Sequence, residues 1–151
     1  MEIKIVTQAE FAVVGLPYYG KNEHEEIPEL WTDLGPRMDE IADKTGPAYG
    51  LCMPVEADGR FHYLAGYAVS EASDLPEGME AWTVPEQTYA VFPCELSTIH
   101  EAYRYAFETW LPQSDYRHDQ KGIDFELYTE EFDQATGDEG MYVYVPVVTG
   151  Q

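Results

Sequence analysis

Apolar and polar positions along this chain recur with two periods, and each period predicts an element type. Ile3 and Ile5 alternate with polar neighbours, and EFAVVGL (Glu10 to Leu16) is a second extended run, so the chain opens with one or two strands. In IPELWTDLGPRMDEIADK the residues Ile27, Leu30, Trp31, Leu34, Met38 and Ile41 fall at helical spacing. Pro28 suits a first helical turn. Gly35-Pro36 kinks or divides this helix, because proline removes an amide donor and clashes with the turn before it. AYGLCM (Ala48 to Met53) and FHYLAGYAV (Phe61 to Val69) then read as strands around the turn-forming Asp58-Gly59.

The second half restarts the programme. MEAWTVPEQTYAVF (Met79 to Phe92) reads as extended, interrupted at Pro85. Thr98 followed by Glu101 is a capping-box signature for a helix whose stripe is Ile99, Ala102, Tyr103, Ala106, Phe107 and Trp110, with Pro112 as its stop. DFELY (Asp124 to Tyr128) and MYVYVPVV (Met141 to Val148) are the last strands, and Pro146 argues for an edge or a strand end. EFAVV (10–14) precedes TYAVF (88–92) by 78 positions, and LAGYAV (64–69) precedes YVYVPV (142–147) by the same 78. The shared offset predicts an α+β fold of two duplicated β-α-β-β units, with pseudo-repeats at about 1–75 and 76–148 inside one domain spanning 1–151. The first-half counterpart of DFELY is AYGL, which has no acid.

That difference makes Glu126 conspicuous. A carboxylate in the middle of an apolar strand either faces water or is kept inside with a partner, since unpaired burial is expensive. Strand parity puts Phe125 and Leu127 on one face and Glu126 with Tyr128 on the other.

Composition narrows the classes of function. Eight Lys plus Arg stand against 29 Asp plus Glu, a formal net charge of -21, a poor match to the basic patch that phosphate-backbone binding needs. Direct nucleic-acid binding is therefore not expected, whereas cations are drawn toward the protein. Twelve Tyr, 6 Phe and 3 Trp are too many large apolar groups for a disordered chain. Cys52 and Cys94 form neither a disulfide framework nor a CxxC site and read as reduced thiols. No signal peptide and no apolar run near 18 residues is present, so the expectation is a soluble, cytoplasmic protein with no membrane partner.

Metal and cofactor motifs do not emerge. HEEIP (His24 to Pro28) lacks the second histidine of the zinc signature, His62, His100 and His118 have no ligand spacing, and DQATGDEG (Asp133 to Gly140) lacks the pattern of a calcium loop. No phosphate loop and no Ser-His-Asp or Cys-His set can be read off, so no cofactor is expected.

TYAVF, a helix ending in WLPQSDY (Trp110 to Tyr116), DFELY, the terminal YVYVPV and the earlier IPELW together resemble the effector-binding domain shared by gyrase-inhibitor-like proteins and AraC-type and MerR-type multidrug-sensing activators. The likeness covers residues 1–148. It implies a curved antiparallel sheet or open barrel with two main helices flanking a small-molecule cleft, and it places the family's cleft-floor glutamate at Glu126, followed by Tyr128. The chain departs from the family at Pro93-Cys94-Glu95 and at Ser114-Asp115-Tyr116, which bear on the cleft rim. The implied ligand is a small hydrophobic aromatic molecule, often a cation, with neutral aromatics also open, meeting Glu126 beside Tyr128; Trp31, Tyr67, Tyr103, Phe107 and Trp110 are the further candidates that strand and helix position offer. The competing reading of each aromatic is ordinary helix-to-sheet core.

The resemblance implies a stand-alone multidrug or effector-binding module without a DNA-binding segment, any protein partner being unspecified. Two alternatives remain open at this level. One is hydrolysis of reactive cyclopropane-bearing genotoxins, with Glu126 as general acid or base. The other is a gyrase-interacting protein whose acidic surface imitates nucleic acid.

Overall fold

A computed structural model describes residues 3–24, 26–71, 75–95, 98–129 and 140–149. Strands β1 (Lys4–Gln8) and β2 (Phe11–Gly20) lead into helix α1 (Glu26–Leu34), followed by β3 (Lys44–Cys52) and β4 (Phe61–Val69). Strands β5 (Glu80–Val84) and β6 (Gln87–Cys94) precede helix α2 (Ile99–Arg104), and β7 (Tyr116–His118), β8 (Asp124–Tyr128) and β9 (Met141–Thr149) complete the chain. All pairings are antiparallel, in the order β1-β6-β9-β8-β3-β4-β2-β5, with β7 added beside β9. The sheet does not close into a barrel, because β1 and β5 remain its two edges.

The duplication is visible in the ladders. Tyr49 pairs with Leu127, its own counterpart 78 positions on, so a pseudo-two-fold axis passes between β3 and β8. Each half lends its first strand to the other: Lys4 pairs with Val91 and Val13 with Trp82, the same pair of positions exchanged. The last strands obey a different offset. Ala65 pairs with Gly50, and the counterpart of Gly50, Tyr128, pairs with Met141. Thus β9 corresponds to β4 two residues away from the alignment read from the sequence. A slip of two preserves which side chains face which way, so the error was silent in the pattern.

The sheet has two dissimilar faces. One carries Phe11, Tyr49, Tyr89, Phe125 and Tyr144, packed without a helix. Phe11 on β2 meets Phe125 on β8 with ring centroids 5.7 Å apart. Two strands lie between them, so a flat sheet would hold their backbones about 14 Å apart. The sheet therefore curves around this aromatic cluster. The other face carries the helices. Ile27, Leu30, Trp31 and Leu34 of α1 pack with Val14, Tyr63 and Ala65, while Ala102 and Ala106 pack with Phe92, Val143 and Val145. Between these separate helix contacts the central strands β3 and β8 are left uncovered.

Local details depart from the pattern at Thr98, Pro112 and Pro146, and follow it at Gly35-Pro36. Gly35-Pro36 does divide the first helix, and residues Gly35–Glu40 wind more tightly, as a 3-10 segment. The Thr98 hydroxyl does not cap α2; it accepts from the Glu95 amide at 3.0 Å and donates to the Glu95 carbonyl at 3.3 Å. Pro112 does not stop the second helix, because a wider π-type turn at Tyr105–Trp110 precedes it and carries the chain into α3 (Leu111–Gln113). Pro146 lies in an interior strand, not at an edge. It sits just past Tyr144, the last β9 residue paired with β8, and just before Val147, where pairing with β7 begins. Its missing amide falls at that change of partner. Pro85 separates β5 from β6 as expected, and of the Asp133 to Gly140 run all but Gly140 lies outside the described residues. No helix among the described residues is long and apolar enough to cross a membrane.

Candidate functional site

The uncovered strip between the helices is the floor of a cavity of about 1350 Å³. Alternate residues of β3 and β8 point into it, so Ala48 and Cys52 from one strand meet Asp124, Glu126 and Tyr128 from the other. Strand β4 contributes Tyr63 and Tyr67, α1 contributes Trp31, and the second helix contributes Tyr103 and Phe107. Parity thus delivered the floor, and the two helices supply the walls.

Glu126 is only 8% exposed, and it is the one buried charged residue among those described. Its Oε1 accepts hydrogen bonds from the Tyr63 hydroxyl at 3.0 Å and the Tyr128 hydroxyl at 3.3 Å. Trp31 Nε1–H in turn donates to Tyr63 Oη at 2.9 Å, and its ring meets Tyr128 edge-on at 5.2 Å. A chain of contacts therefore ties α1 to the carboxylate.

Gly50 makes this network possible. It is the Cα partner of Glu126 across the β3–β8 ladder. A Cβ at position 50 would run into Tyr63 Oη and come within 2.7 Å of Glu126 Oε1. The hydroxyl and the carboxylate meet in the space that a side chain would have filled.

Burial dominates the electrostatics. Removing the carboxylate from water pushes Glu126 up to about 7, against a smaller downward pull from the hydrogen bonds of Tyr63 and Tyr128. Burial, reinforced by the nearby carboxylate, likewise drives the hydroxyls of Tyr63, Tyr103 and Tyr128 upward. They remain donors throughout the ordinary pH range. Cys52 and Cys94 are unpaired, and burial raises both thiols, that of Cys94 to about 12, so neither is an activated nucleophile.

Six of the seven residues singled out from the sequence line this cavity: Glu126, Tyr128, Trp31, Tyr67, Tyr103 and Phe107. Trp110 does not. It packs edge-on against Phe92 at 5.5 Å and stacks on Tyr116 at 6.1 Å, in the core beneath the second helix. The helical stripe contained both sheet-facing and cleft-facing residues, and the wide turn ending at Trp110 rotates it away from Phe107's side. Tyr63 and Gly50 were missed. Tyr63 shares strand parity with Tyr67, which was the available signal, whereas the need for glycine at 50 is evident only once β3 and β8 are paired. Among the described residues no group of three His, Cys, Asp or Glu side chains is placed to hold a metal ion.

The model of the family described as integron-associated effector binding protein matches residues 4–147. The transcriptional regulator BrlR of Pseudomonas aeruginosa strain PAO1 is 37% identical over 136 residues, which are 87% of this chain and 50% of that protein. The chain thus spans about half the length of this curated relative. Among solved structures, SAV2435 bound to tetraphenylphosphonium superposes with a TM-score of 0.77 at 19% identity, covering 98% of this chain and 94% of the other. The integron cassette protein VCH_CASS2 from the mobile metagenome of Vibrio cholerae gives 0.67 at 18% identity, covering 97% and 95%. At these identities the solved structures speak for the fold.

Proposed function

The chain belongs to the family of integron-associated effector binding proteins, which is related to the ligand-binding domains of transcription regulators, and from that premise we propose that its cleft binds hydrophobic, cationic aromatic compounds. The observation that carries this reading is one buried carboxylate, Glu126, at the floor of an aromatic-lined cavity. Desolvating a carboxylate costs several kcal/mol after relaxation. A cationic ligand offsets that cost by charge pairing, and each ring face adds roughly 0.5 to 2 kcal/mol of cation–π attraction. Trp31 and Tyr103 approach from opposite helices, so a flat ring system entering the cleft has an aromatic neighbour on each side. The tetraphenylphosphonium in the SAV2435 structure is a ligand of this chemical kind on a shared fold.

Titration with an acridinium dye, followed by quenching of tryptophan fluorescence, tests the proposal. Binding is expected in the micromolar range at pH 8, with Glu126→Gln weakening it by at least about 1 kcal/mol, or roughly fivefold. Equal affinity in the variant removes Glu126 from the site.

One observation favours a second reading. A carboxyl held near 7 is suited to general acid–base work. Mass spectrometry of a reactive cyclopropane compound recovered after incubation separates the two: an unchanged, stoichiometrically bound compound supports a receptor, and many converted molecules per protein, lost in Glu126→Gln, support a hydrolase.

A further inference from the structure

Glu126 is not the cavity's only carboxylate. Asp124 lies two residues earlier on β8, points to the same side and lines the same space. At the rise of an extended strand the two groups are about 7 Å apart along the chain. The Asp124 carboxylate is bonded to His118 Nε2 at 3.2 Å, and its side chain is 20% exposed, so the pair stands at the wall of the cavity and is not sealed in core. His118 is itself fixed: its backbone pairs with Val147, and the Phe107 ring meets the imidazole edge-on at 5.0 Å. The imidazole nitrogen holds the Asp124 carboxylate in one orientation at the cavity wall. Both carboxylates act on one region, since the Tyr103 hydroxyl and the Cys52 thiol feel Glu126 and Asp124 together. No lysine or arginine is among the described residues lining the cavity. The described lining therefore offers two carboxyl positions at a fixed spacing and, apart from His100 and His118, no basic side chain.

Resting on the reading of the cleft as a cation site, we propose that Asp124, oriented by His118, is a second cation subsite. The favoured ligands are then aromatic compounds with two cationic groups spaced to match Asp124 and Glu126. A single-charge ligand satisfies Glu126 and leaves Asp124 to its imidazole. A ligand with a second charge satisfies both.

Two probes of nearly the same shape separate the cases: N-methyl-4-phenylpyridinium, with one charge, and N,N′-dimethyl-4,4′-bipyridinium, whose two charged nitrogens span a comparable distance. Calorimetric titration of the whole chain is expected to give the bipyridinium at least about a fivefold advantage. Asp124→Asn, a change of nearly equal shape, is expected to abolish that advantage by weakening the dication more than the monocation. His118→Gln keeps an N–H donor beside Asp124 and is expected to retain the preference, which guards against a fold defect in the first variant. Equal binding of both probes, unchanged by Asp124→Asn, overturns this inference alone. A monocation weakened by Asp124→Asn as much as the dication also overturns it. Failure of both probes to bind the wild-type chain overturns the cleft reading together with it.

Discussion

Glu126 sets a cost that the fold bears without a ligand. Its carboxyl is raised by burial from the ordinary 4.5 to about 7, so the folded state holds a proton that the unfolded chain releases over that interval. The contribution of this group to stability is therefore full below about pH 4.5 and falls as pH rises to about 7, by roughly 3 kcal/mol in all. Urea unfolding of the wild type and Glu126→Gln at pH 5 and pH 8 checks the sign. The variant is expected to gain on the wild type as pH rises, and a constant difference would mean that Glu126 is ionised alike in both states. Binding of a cation runs the other way: it is tighter when the carboxylate is ionised, so affinity is expected to rise by about tenfold from pH 6 to pH 8. Tyr63 and Tyr128 keep the ionised form bearable, because both hydroxyls donate to the same oxygen.

Elements bring these residues together through the seam between β3 and β8. Gly50 faces Glu126 there, and an added Cβ meets the Tyr63 hydroxyl. Gly50→Ala is expected to cost about 1 to 3 kcal/mol of stability by overpacking and to weaken cation binding, because the hydroxyl and the carboxylate are pushed apart. Gly35→Ala, where an added Cβ meets nothing within 4 Å, is the control and is expected to fall within about 0.5 kcal/mol of wild type. Equal effects in the two variants would show that Gly50 is not a spacer. This seam also marks what the sequence could reveal. Period-2 alternation in DFELY put Glu126 and Tyr128 on one face, and helical spacing placed Trp31, Tyr103 and Phe107 on helices that wall the cleft. Gly50 remained hidden because its importance lies in a pairing with Glu126 across the β3–β8 ladder, and the role of Tyr63 lies in a hydrogen bond to a carboxylate 63 positions on. Trp110 misled because counting along a regular helix takes no account of the widened turn that contains it. The Thr98 signature failed for a local reason, since its hydroxyl found partners on Glu95 before the helix began.

For the whole molecule, the pseudo-two-fold makes two similar halves and one dissimilar floor. Ala48 in the first half corresponds to Glu126 in the second, and Gly50 to Tyr128, so small residues of one repeat vacate the space into which polar side chains of the other extend. The frame repeats in both halves, and the halves differ at the axis, where the cavity floor lies. The net charge of -21 surrounds this site with a field that attracts cations. Stopped-flow association of a cationic dye is expected to slow as ionic strength rises from about 0.01 to 0.15 M, over which the Debye length shrinks from about 30 to 8 Å. A neutral aromatic of similar size is expected to show no such dependence, and an equal response of both would mean that the field does not steer the ligand. The most direct test of the account is a structure of the chain with an aromatic cation bound. The ligand is expected in the cleft between Trp31 and Tyr103, with its cationic centre within about 6 Å of the Glu126 carboxylate. A ligand seated elsewhere, or one presenting its uncharged end to Glu126, would contradict it.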